Sequence, residues 1–377
     1  MTASREFRIP GGLISRRTFA AGAGLGAAAL ATGFAGRSVA SQDAEFKAAF
    51  IYVGPIGDGG YTYAHDQGRL ALEANTGIAT VYSENIPEVQ AEAERVIRGY
   101  AEDGYQMVVA TSFGHGPAVL AAAPSFPDTQ FIHVSGYQTL ENVSTAFGKI
   151  EEPRYVSGIV AGAMAATGKL GYVAAFPIPE VIRGINAFTL GVQQSNPEAT
   201  VQVVWTNTWY DPALERSAAE ALLDDGAEVI GQHQDTPGPQ QAAEAAGKYG
   251  VGYNSDMSAQ APAANLTNPV WNWGVYYTLA ATQIQDGSWV GGNQYWGSWK
   301  DGVVDLSPIA SFVPAETVTA AEAEIAKFKS GEKGVSTIFT GPLLDQEGAE
   351  KVAAGTVMTD EEILNMDWFV QGVQGEL

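Results

Sequence analysis

The feature that most constrains this chain is an alternation of strand and helix patterns that runs once, stops, and starts again. Residues 46–53 (FKAAFIYV) read as a buried strand, followed by a glycine turn from Gly54 to Gly60 and a helix over 63–75. Strands at 80–83, 107–111 and 130–134 follow, separated by helices at 89–102 and 117–123. After a helix over 152–167 the pattern resumes. Strands at 169–175, 200–205, 228–232 and 251–253 alternate with helices at 179–194, 212–225 and 239–249. Alternation of this kind builds βαβ units with parallel sheets. Two runs of similar length predict an α/β fold of two Rossmann-like lobes with parallel sheets, joined by a hinge. The remainder is different: a helix over 273–286, a Trp/Gly-rich stretch over 289–302, an acidic helix over 316–330 and a strand-like segment over 368–373. Shared between the lobes, this tail gives a first lobe of 45–148 plus about 274–306. The second is then 149–273 plus about 307–377.

The first 40 residues read as an export signal rather than as part of this fold. Arg16-Arg17 precede an uncharged Ala/Gly-rich run from Ala20 to Ala35, and Ser38-Val39-Ala40 offers small residues for cleavage. The run is shorter than the roughly 20 residues a membrane helix needs, and the arginine pair is the mark of a twin-arginine signal. Its removal takes away five arginines and Glu6, leaving 15 basic and 41 acidic residues, a net charge of −26. Such a surface does not suit nucleic acid, whose phosphates need clustered Lys and Arg. The absence of cysteine excludes disulfides, thiolate metal sites, cysteine nucleophiles and a lipid-anchored cysteine. The expectation is a soluble, periplasmic or extracellular monomer.

Enzyme and cofactor motifs fail on inspection. Gly162 to Gly168-Lys169 has one residue too many for a phosphate-binding loop, and Leu170 stands where Ser or Thr is needed. No G-x-S-x-G elbow occurs. The four histidines show no metal-ligand spacing. No enzyme activity, cofactor or metal is expected.

In open parallel sheets, ligands sit beyond the carboxyl ends of the strands, so two facing lobes would place their strand-end loops around one cleft. Asp58, Tyr61 and Tyr63 lie in and after the first glycine turn, and Ser112 and Phe113 follow the third strand. Asp58 could equally cap a helix, Tyr61 could be buried, and Phe113 could be core. Trp209 projects from the loop before Asp211-Pro212, where Asp211 reads as a helix cap with proline at the first helical position. Asp235 and Asp256 each place a carboxylate just past a strand end. Of the two, Asp256 is the preferred ligand contact, with helix capping the alternative for both. Trp271 and Trp273 lie where the chain crosses back to the first lobe; Trp273 lines the cleft or staples the hinge. Rings with carboxylates and amides suit a flat heterocycle carrying N–H donors. A sugar uses similar groups and stays open as an alternative. A phosphate, which wants a basic cleft, does not fit.

Short motifs in order along the chain carry a resemblance. They include Gly54-Pro55-Ile56-Gly57-Asp58-Gly59-Gly60-Tyr61, Thr111-Ser112-Phe113-Gly114, Pro179-Glu180-Val181 and Gly184-Ile185-Asn186-Ala187-Phe188. Trp209-Tyr210-Asp211-Pro212, Ser255-Asp256-Met257, Phe339-Thr340-Gly341-Pro342 and Met366-Asp367-Trp368-Phe369 continue it. With these, the chain from about Lys47 onward resembles the basic membrane protein (BMP, PnrA-like) family of ABC-transporter substrate-binding proteins. The resemblance implies a type I periplasmic-binding fold, a membrane permease as partner, and capture of a purine nucleoside or purine base. It also implies that Tyr61 and Trp209 sandwich the base, with Asp58 and Asp256 at its polar edge. Two departures narrow the ligand. The family's ribose-directed lysine is missing, since no lysine lies between Lys248 and Lys300 and Trp271 stands at the aligned position. Pro117 replaces an acid that often follows the glycine–aromatic loop. The loss of ribose-directed charge favours a free base over a nucleoside, and Gly57-Asp58-Gly59-Gly60-Tyr61 with Trp209-Tyr210-Asp211-Pro212 resembles the adenine-type binders of the family. A secreted hydrolase is the alternative from a different class.

Overall fold

The computed structural model describes residues 45–377. The predicted signal lies outside the described residues. Two six-stranded sheets, every neighbouring pair parallel, form the frame.

The first sheet contains β1 (Lys47–Ile51), β2 (Ala79–Ser83), β3 (Met107–Ala110), β4 (Gln130–Val134) and β5 (Val143–Gly148). The second contains β6 (Lys169–Ala174), β7 (Thr200–Trp205), β8 (Val229–His233), β9 (Tyr249–Val251) and β10 (Asn265–Thr267). An antiparallel ribbon follows, β11 (Pro269–Trp271) with β13 (Val304–Leu306), while β12 (Gln294–Gly297) between them returns to the first sheet beside β5. A small ribbon, β14 (Leu343–Leu344) with β15 (Glu350–Val352), precedes β16 (Val373–Gln374), which pairs with β7 in the second sheet. The tail is thus divided between the two sheets.

Strand order is β12-β5-β4-β3-β1-β2 in the first sheet and β10-β9-β8-β6-β7-β16 in the second. In each, the first strand of the run lies between its second and third, so the order reverses beside β1 and again beside β6. A crevice opens at such a reversal, because the connections leave it toward opposite faces.

The helices are α1 (Tyr61–Thr76), α2 (Gln90–Glu102), α3 (Gly116–Ala122), α4 (Glu151–Met164), α5 (Pro179–Ser195), α6 (Pro212–Asp224), α7 (Gly238–Ala245), α8 (Trp273–Asp286) and α9 (Ala315–Ser330), with two short ones, α10 (Val335–Ile338) and α11 (Asp360–Leu364), near the end. Helix α1 begins two residues earlier than the sequence suggests, because Asp58 supplies acceptors for its first amides. Strand β9 ends at Val251 rather than Tyr253; Asn254 turns the chain there with φ of 69°. The last strand is only Val373–Gln374; before it, Val370 makes an isolated antiparallel bridge to Asp345 and 371–372 is a turn.

Strands buried on both faces read as near-continuous apolar runs, as in β3 (MVVA); β5 (VSTAFG) is equally buried but carries Ser144 and Thr145. The largest apolar cluster is continuous across both lobes and the crossing points between them. At those crossings Trp271 and Trp273 stack at 4.8 Å, and Trp273 stacks on His65 of α1 at 4.6 Å. Trp273 is fully buried. It acts as a hinge staple, the alternative raised from sequence. Among the described residues, no helix is long and apolar enough to cross a membrane.

Candidate ligand-binding site

The loops leaving the strand ends of the two lobes meet around a cavity whose empty space, open solvent included, is about 330 Å³. From the first lobe come Val53 after β1, Tyr61 at the start of α1, Ser112 and Phe113 after β3, and Ser135 after β4. From the second come Glu180 in the first turn of α5, Trp209 after β7, His233 at the end of β8, Asp235, and Tyr253 after β9.

The cleft is shut in this structure. The Ser255 hydroxyl donates to the Gly59 carbonyl at 2.5 Å, and the Trp209 indole N–H donates to Glu88 at 3.2 Å. The Ser135 hydroxyl donates to the Glu180 carboxylate. Each bond joins one lobe to the other.

The rings are held by specific contacts. Tyr61 donates from its hydroxyl to the Thr111 carbonyl at 2.6 Å and meets His65 edge-on at 4.3 Å. Phe113 stacks on Tyr137 at 6.0 Å. Trp209 meets Phe176 edge-on at 5.0 Å. Tyr253 lies over the Arg154 guanidinium, 3.8 Å from ring centroid to carbon. That arginine is buried and held by Tyr172 and the Gln232 carbonyl. The Tyr253 hydroxyl and His233 Nδ1 are buried without a hydrogen-bond partner, so a ligand that meets them removes a desolvation cost.

Electrostatics divide the polar groups. Burial, with the Asp58 and Glu215 carboxylates nearby, pushes the Asp235 carboxyl well above the usual range, so it favours its neutral, donating form. Burial and the Arg154 charge lower His233 to about 4, leaving its ring neutral at ordinary pH. Burial opposes the charge on Glu180. The facing His233 ring, the Arg183 guanidinium and the Ser135 hydroxyl outweigh it and hold the group below its ordinary value. The cavity therefore sets two acids shifted in opposite directions, Asp235 up and Glu180 down, among rings, with no lysine or arginine in its lining.

Of the ten residues singled out from sequence, the structure brings Tyr61, Ser112, Phe113, Trp209 and Asp235 together on the cavity. Asp58 is committed elsewhere: its two oxygens accept from the amides of Gly60, Thr62 and Tyr63 at 2.8–2.9 Å, fastening the start of α1. Tyr63 points outward, 40% exposed. Asp256 is exposed and accepts from the Ser258 amide and the Asn268 side chain. Trp271 and Trp273 belong to the hinge. Trp271 reaches the site indirectly, donating to Asn254 Oδ1 at 2.9 Å, while Asn254 donates to Asp235 at 3.3 Å.

Glu180, His233, Ser135 and Tyr253 complete the lining without having been singled out. All four sit in or beside strand-end loops that the topology argument marks. Glu180 is disguised as an ordinary first-turn acid of α5, which the helix dipole alone would explain.

Two parallel α/β lobes closing on a small cavity at their strand ends define a hinged solute-binding protein. The ABC transporter substrate-binding protein PnrA-like family matches residues 46–336, and the chain belongs to that family. A purine-binding protein of Brucella abortus is 40% identical over 93% of this chain and 99% of its own length. A Haloferax volcanii protein, named provisionally as an ABC transporter glucose-binding protein, is 36% identical over 89% of this chain and 82% of its own. The solved solute-binding protein of Conexibacter woesei superposes with a TM-score of 0.61 at 25% identity, covering 76% of this chain and 97% of that one. One from Aeropyrum pernix gives 0.67 at 20% identity over 76% and 92%, a likeness of fold. The fold expectation and the family resemblance are thereby both met. A protein of this family takes a small-molecule ligand and works with a membrane permease.

Proposed function

We propose that this protein is the extracytoplasmic receptor of an ABC importer and that it captures a purine base, adenine-like, between its lobes. The observation that carries this reading is the set of groups on one cavity. Tyr61 and Phe113 come from one lobe and Trp209 from the other, with Asp235 and Glu180 as the polar edge. Flat rings offer stacking to a base of any identity. A neutral Asp235 donates to a ring nitrogen, and the Glu180 carboxylate accepts from an amino or ring N–H. The purine-binding name of the Brucella relative agrees.

In this reading residues 1–40 are a twin-arginine leader, the mature protein is a monomer, and no reaction is catalysed. Titration calorimetry against adenine, guanine, hypoxanthine, xanthine, adenosine and guanosine tests it. A base binding tighter than the corresponding nucleoside is expected. If none binds below ~100 μM, roughly −5.5 kcal/mol, the purine reading fails.

The name of the Haloferax relative favours a second reading, a hexose. Aromatic stacking with carboxylates also serves sugars. An ultraviolet-absorbing ligand released from the purified protein separates the two, because a sugar carries no such chromophore.

A further inference from the structure

Glu88 lies on the loop between β2 and α2, in the first lobe and outside the lining of the cavity. One of its oxygens accepts from the Ser112 hydroxyl at 2.5 Å and from the Gly114 amide at 2.8 Å. The other accepts from the Trp209 indole N–H, in the second lobe, at 3.2 Å. A single carboxylate thus holds two lining side chains, one from each lobe. The backbone makes room for it: a Cβ on Gly114 would overlap the Glu88 carboxyl group.

We propose that Glu88 is a closure latch, fixed in the first lobe by Ser112 and Gly114, which catches Trp209 only when the lobes have swung together and so sets how long a ligand is retained. A hydrogen bond to an ionised acceptor is stronger than a neutral one. The Trp209 bond exists only in the closed form, so all of its net worth biases the open–closed equilibrium. When the lobes part, water solvates both groups. The bond also fixes the rotation of the indole, which otherwise meets Phe176 edge-on at 5.0 Å and the His233 ring at 6.3 Å. It must break before the ligand leaves, so its loss acts on the dissociation rate rather than on the encounter. Because Glu88 is exposed, the effect is discounted to about three- to tenfold in residence time. Glu88 itself is a positioning residue and touches no ligand.

The probe is adenine, which makes this arm rest on the purine reading; D-glucose is the second probe if the wild-type protein does not take adenine. Stopped-flow dissociation from Glu88→Ala is expected to be about three- to tenfold faster than from wild type, with association within twofold. Gly114→Ala, which displaces the carboxyl group, is expected to reproduce it. In a Trp209→Phe background, where the ring stays and the N–H is gone, Glu88→Ala should add nothing. A full additional effect there would show that Glu88 merely organises its own loop, and would overturn the latch, as would an unchanged dissociation rate in Glu88→Ala. A ligand-independent arm follows the Trp209 indole N–H resonance in 15N-tryptophan-labelled protein, free and after addition of either probe. It is expected to move on Glu88→Gln. No movement in any of these samples overturns the latch, whereas failure of adenine to bind the wild type counts only against the purine reading.

Discussion

Gly60 and Asp235 touch across the cleft: a Cβ on Gly60 would overlap the carbonyl oxygen of Asp235. Gly60 leads into α1 of the first lobe, and Asp235 follows β8 of the second. The closed arrangement therefore needs bare backbone at position 60. Gly60→Ala should leave each lobe folded but hold the cleft ajar. The expected result is a loss of affinity for adenine of at least about tenfold, some 1.4 kcal/mol. The melting temperature of the ligand-free protein should be nearly unchanged. Small-angle scattering of the variant with saturating ligand should show the more extended form. Wild-type affinity in Gly60→Ala would mean the lobes meet differently.

Trp209 supplies the ring of the second lobe, and removing it removes a stacking face. Trp209→Ala should weaken a base ligand by about 1–3 kcal/mol, read by calorimetry. Unchanged affinity would take Trp209 out of the site.

The two strand-end acids should separate cleanly. Asp235 lines the cavity, whereas Asp256 is exposed and satisfied by its own loop. Asp235→Ala should reduce affinity about tenfold or more, while Asp256→Ala should stay within about twofold, since a surface substitution away from the ligand costs little. Reversal of that order, measured under one buffer condition, would move the polar edge of the site to Asp256.

Trp273 is fully buried against His65 and Trp271, and its role is packing. Trp273→Ala should cost about 3–5 kcal/mol of stability, seen in denaturant melts. The affinity of whatever fraction remains folded should fall far less than in Trp209→Ala. Equal losses of affinity would make Trp273 a ligand contact instead.

Stability should be level through mildly acidic solution and fall near neutrality. Burial raises Glu152 and Glu215 to about 7 in the folded protein. Their ordinary values lie near ~4.3, so the native state binds the extra protons. Their stabilising contribution is complete below that ordinary value and is lost as pH rises through about 7. The histidines have the opposite sign. Burial lowers His133 and His233 to about 4, against an ordinary value of ~6.5. Their contribution is present above the ordinary value and is lost as pH falls through about 4. Two groups of each sign oppose one another between about 4.5 and 6.5, so thermal melts from pH 4 to 9 should be nearly level there and fall between about 6.5 and 7.5, where only the carboxyl contribution is still being lost. A melting temperature that climbs steadily to pH 8.5 would contradict these burials.

The course of the fold is legible in the sequence because it depends on local periodicity. Apolar runs of four to six residues separated by amphipathic helices leave little but a parallel sheet, and the run that restarts after residue 150 means a second one. The position of the site follows from topology alone, since strand-end loops meet when two such sheets face each other. Asp58 shows where this reasoning stops. A carboxylate in a glycine turn can cap or can bind. Which it does depends on whether three amides, those of Gly60, Thr62 and Tyr63, reach it first.

By itself, then, the sequence determined the two lobes, the family they belong to, and the strand-end loops that carry Tyr61, Ser112, Phe113, Trp209 and Asp235, while preferring Asp256 to Asp235 and leaving Tyr61 and Phe113 open to purely structural roles. Only the tertiary structure decided that Glu180, His233 and Tyr253 join them and that Trp271 and Trp273 do not. It also decided that Glu88 reaches Trp209, 121 residues away in the chain. The physical reason is one of range. Strand and helix patterns are set by neighbours a few residues apart. Whether a side chain meets ligand, solvent or hinge is set by groups distant in sequence, and here by which surfaces touch when the lobes close.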